Sequence, residues 1–151
     1  MHIAFGHSIQ LEPVQLLAVF SSLINGGMRV PPRAGERVVS EATSLTMRRM
    51  LRNAVADGRS RRADVPGLAV GGTIGVMIDP GNPIFFVAER RFPAFIGAFP
   101  ITEPRYALLV MLEQPNVADK LFDTAAAPVA AKIIARIAPL LAVAQQPLDR
   151  R

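Results

Sequence analysis

The residues best suited to meet a ligand lie in the run Val70-Gly71-Gly72-Thr73-Ile74-Gly75-Val76, where three glycines, one hydroxyl and three β-branched aliphatic residues share a short segment. Glycine in a strand marks a place where another backbone or a ligand approaches closely. Simple spacing in a packed edge strand explains the same glycines, so both readings stand. The other residue types that do chemistry are dispersed. His2, His7 and Ser8 crowd one terminus, too close in sequence to form a nucleophile and base held by a rigid shell. Asp57 and Asp64 fall in a turn and a loop, while Glu36, Glu41 and Glu103 are scattered, giving neither paired carboxylates nor a metal-ligand cluster. No cofactor or metal is implied. With no cysteine, thiolate chemistry and disulfides are excluded.

Charge is concentrated in arginine. The formal net charge is +5, and Lys120 and Lys132 are the only lysines. Arg48, Arg49 and Arg52, followed by Arg59, Arg61 and Arg62, form a candidate anion patch for nucleic acid, acidic lipid or an acidic polymer. The plainer reading, a solvated helix face followed by a basic loop, carries the greater weight and makes nucleic acid a minor alternative.

The elements that must position these groups follow from periodicity and punctuation. A chain of 151 residues, half of them apolar, suffices for one domain that buries ~70% of its unfolded surface. Residues 1–144 read as that domain and 145–151 as a disordered tail. A first helix runs from Pro13 to Ile24 with Val14, Leu17, Phe20 and Ile24 near one face, and Asn25-Gly26-Gly27 ends it. A second starts at the N-cap Ser40 and continues to Ala56, burying Met47, Met50, Leu51, Ala54 and Val55 and turning Arg48, Arg49 and Arg52 outward.

From Gly67 onward the pattern changes to strands. Leu68 to Ile78 is closed by the turn Asp79-Pro80-Gly81-Asn82-Pro83; Ile84 to Ala88 is a weaker run; Ala94 to Phe99 and Tyr106 to Leu112 form a hairpin. An alanine-rich helix follows from Ala126 to Ala138, with Val129, Ile133, Ile134 and Ile137 as its apolar stripe. No run reaches the ~20 apolar residues of a spanning helix, and the first residues carry no signal-peptide pattern. The fold class is α+β, with an antiparallel sheet of about three strands packed against helices.

Several segments, in order, resemble class B penicillin-binding proteins. Phe5-Gly6, Pro13-Val14-Gln15-Leu16 and Leu23-Ile24-Asn25-Gly26-Gly27-Met28-Arg29-Val30 are similar to that family's SFGYG, TPLQL and LANGGKRV. Val38-Val39-Ser40-Glu41 and Met50-Leu51-Arg52-Asn53-Ala54-Val55 resemble its VVSE and MLRxVV. Phe95-Ile96-Gly97-Ala98-Phe99-Pro100, Pro104-Arg105-Tyr106-Ala107 and Ala126-Ala127-Pro128-Val129 resemble FVGFAP, NPRYA and AAPVF.

The resemblance implies a partial transpeptidase fold, the C-terminal part of a domain that is periplasmic and membrane-anchored in the family. It also implies a chemistry. The family attacks a D-alanyl-D-alanine peptide or a β-lactam with the serine of an S-x-x-K motif, assisted by S-x-N and K-T-G motifs. Here Ser8, Ser21, Ser22, Ser40, Ser44 and Ser60 are followed three positions on by Leu11, Ile24, Asn25, Thr43, Met47 and Ala63, and no Ser-x-Asn occurs. The K-T-G triplet aligns with Thr73, Ile74 and Gly75. The expected protein is a transpeptidase-family fragment related to peptidoglycan synthesis that is catalytically inactive as it stands; a non-catalytic interaction scaffold or an anion-binding module is the alternative. A further expectation concerns the edge of the Tyr106 to Leu112 strand, which would pair with a second copy or another polypeptide.

Overall fold

The structure, a computed structural model, describes residues 12–31, 36–79, 90–113 and 119–143. The turn through Pro83, the run Ile84 to Ala88, the terminal histidines with Ser8, and the tail from 145 lie outside or largely outside these ranges. Helix α1 spans Pro13–Ile24, with proline at the first turn and the Glu12 and Gln15 side chains in a reciprocal capping box. Helix α2 spans Glu41–Ala56, and the Ser40 hydroxyl accepts from the Thr43 N–H at 3.0 Å. Gly26 and Gly27, with φ of 89° and 88°, carry the chain out of α1 in a left-handed conformation.

Strands β1 (Gly71–Asp79), β2 (Arg90–Phe99) and β3 (Tyr106–Met111) form one antiparallel sheet in that order. Thr73 pairs with Ile96 and Ile96 with Leu109, so these three share one face; Ile74, Phe95 and Val110 share the other. On the second face Phe95, Phe99 and Val110 cluster with Ala126, Ala127, Ala130, Ile134 and Ala138 of helix α3 (Ala126–Ile137) and its end. Alanine at 126, 127, 130 and 138 lets α3 approach the two phenyl rings closely. On the first face Ile96, Ala98 and Ala107 cluster with Phe20 and Ile24 of α1, Leu51 of α2 and Ile101. Helix α2 ties the two layers together, since Leu51 belongs to one cluster and Val55 to the other.

The helix ranges match the sequence reading, but several facing assignments do not. Met50 is 60% exposed, and Val14 and Ile133 are exposed as well. The position on α2 that is buried instead is Ser44, whose hydroxyl accepts from the Gly26 N–H at 3.0 Å and joins the end of α1 to α2. On α3 the buried stripe is mainly alanine, with Ile134 the one large residue, because the phenyl rings opposite fill the volume. The first strand begins at Gly71 rather than Leu68: Leu68 N–H bonds back to the Val65 carbonyl, and Ala69 takes a positive φ of 45°.

Candidate functional site

Strand β1 is an edge strand, and its outer side is pinned over part of its length. The Ile74 N–H points away from β2 and donates to the Ser60 hydroxyl at 3.2 Å. The Val70 carbonyl, also outward, accepts from Arg52 Nη1 at 2.8 Å. By alternation the outward groups farther along belong to Val76 and Ile78, and no hydrogen bond joins them to other described residues. Ser60 is 1% exposed although it sits among Arg59, Arg61 and Arg62 in the loop before the strand. Nothing local in that polar, basic stretch distinguishes Ser60 from its neighbours; its role depends on β1 running alongside.

Thr73, Ile74 and Gly75, the positions that the resemblance implies would match K-T-G, all lie on this edge. Thr73 is exposed and donates its hydroxyl to the Ile74 carbonyl at 3.3 Å; Ile74 is half-buried against the α3 layer; Gly75 is exposed. The glycines of this strand divide into two kinds. A Cβ at Gly72 would meet the Phe95 ring and the Ile96 carbonyl at 2.5 Å, whereas a Cβ at Gly75 would meet nothing within 4 Å. Gly72 is therefore a packing spacer, while the space at Gly75 is open to something outside the sheet.

Beside Gly75 a shallow groove runs over the first face, walled by Leu16 of α1, Thr73 and Met77 of β1, Ile96 of β2 and Leu109 of β3. Its lining is apolar apart from the Thr73 hydroxyl, and no ionisable side chain takes part. Such a surface can hold an apolar or extended group against the strand, but it supplies no acid, base or carboxylate-binding charge. Among the described residues no group of three or more ionisable side chains is arranged to hold a metal, and no helix is long and apolar enough to cross a membrane.

The arginines do not form one patch. Arg48 donates to the Ile24 carbonyl at the end of α1 and to the Thr102 carbonyl at 3.4 Å. Arg52 bridges Asp64 and Val70, each at 2.8 Å. Both are half-buried braces between elements, so the outward orientation expected for them is corrected. Arg59 faces Asp123 at 3.9 Å, and Arg49, Arg61 and Arg62 remain exposed.

Residues 1–137 match the model of the penicillin binding protein transpeptidase domain. The chain belongs to this family. Its relatives include the probable peptidoglycan D,D-transpeptidase FtsI of Caulobacter vibrioides, 35% identical over 164 aligned positions that take in 93% of this chain and 28% of the relative. Stage V sporulation protein D of Bacillus subtilis is 28% identical, over 93% of this chain and 25% of the relative. This transpeptidase-family chain thus spans about a quarter of the length of these curated relatives.

Among solved structures, penicillin-binding protein 3 of Mycobacterium tuberculosis, complexed with ampicillin, superposes with a TM-score of 0.76 at 26% identity, over 97% of this chain and 38% of that one. The apo transpeptidase domain of penicillin-binding protein 3 from Burkholderia pseudomallei superposes with a TM-score of 0.80 at 24% identity, over 95% of this chain and 46% of its own, a likeness of fold. The three-helix, three-strand architecture described above is that of a partial transpeptidase domain.

Proposed function

We propose that this chain is a transpeptidase-family module of peptidoglycan synthesis and that its 151 residues, as they stand, do not acylate. One observation carries this reading. At the edge strand that aligns with K-T-G, the glycine position remains open to approach, yet the lysine position is occupied by Thr73 and the adjoining groove has no cation. A strand of this kind keeps the backbone that could run beside an extended peptide and lacks the charge that would hold a peptide carboxylate. The serines agree. None in the sequence has a lysine three positions on, and four of the described ones serve as caps and braces: Ser22 accepts from the Val30 N–H at 2.9 Å, Ser40 caps α2, Ser44 joins α1 to α2, and Ser60 pins β1. An alcohol without a nearby base is a poor nucleophile.

The test is covalent labelling with a fluorescent penicillin followed by denaturing electrophoresis. No label is expected on the chain or on Thr73→Lys, since restoring the charge does not supply an activated serine. Label that survives denaturation and maps to any serine overturns the reading.

A further inference from the structure

We draw no further inference here: the strongest candidate, the apolar groove over the first face of the sheet between Leu16 of α1 and Leu109 of β3, opens beside Gly75 and so belongs to the site already described, and nothing in the structure shows what covers it.

Discussion

The two edges of the sheet are built from the same β-type sequence and treated in opposite ways. On β1, Arg52 and Ser60, both supplied by preceding segments, take up the outward Val70 carbonyl and the outward Ile74 N–H, while the outward groups of Val76 and Ile78 meet no other described residue. On β3, where Ala107, Leu109 and Met111 alternate outward, no hydrogen bond joins those groups to other described residues, and Arg105 and Glu113 flank the strand. A half-pinned edge holds its strand in one position while leaving room for an incoming backbone at a chosen place. An apolar edge without such pins specifies neither. The strand on which the proposed function rests is the first edge.

Both edges depend on the strand between them, so the largest effect should come from Phe95, which is fully buried in the α3 layer. Phe95→Ala should cost ~3–5 kcal/mol. Equilibrium urea unfolding should show its midpoint falling together with protection at both edges. If β1 kept its amide protection while β3 lost it, the edges would not be two sides of one cooperative unit. Gly72→Ala comes next, at ~1–3 kcal/mol, because the added carbon presses on the Ile96 carbonyl as well as the Phe95 ring. A ring can tilt, but the backbone oxygen of a central strand has little room to give. Full stability in this variant would show that β1 can shift outward, and that its pinning is weaker than the hydrogen bonds imply.

Ser60→Ala isolates the pin itself. It leaves the Ile74 N–H without its partner in a partly buried place, at a cost of ~1–2 kcal/mol. Hydrogen exchange provides the sharper readout: the Ile74 amide should exchange faster while amides of β2 and β3 keep their rates. Equal acceleration throughout the sheet would mean that Ser60 supports the fold as a whole and the first edge is not separately guarded.

How much of this was legible in the sequence follows the range of each interaction. The ends of α1 and α2 could be read because Pro13, Ser40 and the Gly26-Gly27 pair act on neighbours within one turn. The facing of α2 could not, since Arg48 turns inward to carbonyls at Ile24 and Thr102, and Ser44 is buried because the end of α1 arrives there. On α3, periodicity favoured the isoleucines, but the phenyl rings of β2 select alanine, a choice of volume that hydrophobicity alone does not make. The candidate site was readable as a glycine-bearing strand, and the structure places Thr73, Ile74 and Gly75 within β1. Which glycine is required by packing became visible only with Phe95 in place across the sheet.

The smallest effect on stability is expected at Gly75, and it tests the first edge most directly. Thr73 and Gly75 lie on the same face, and an added Cβ at Gly75 would enter open space. Gly75→Ala should therefore change stability by less than ~0.5 kcal/mol; lower entropy in the unfolded chain would favour the variant slightly. A loss comparable to Gly72→Ala would show that something within the chain presses on Gly75, and the distinction between a spacer and an approach position would collapse. A neutral result leaves a glycine whose missing side chain the fold does not need.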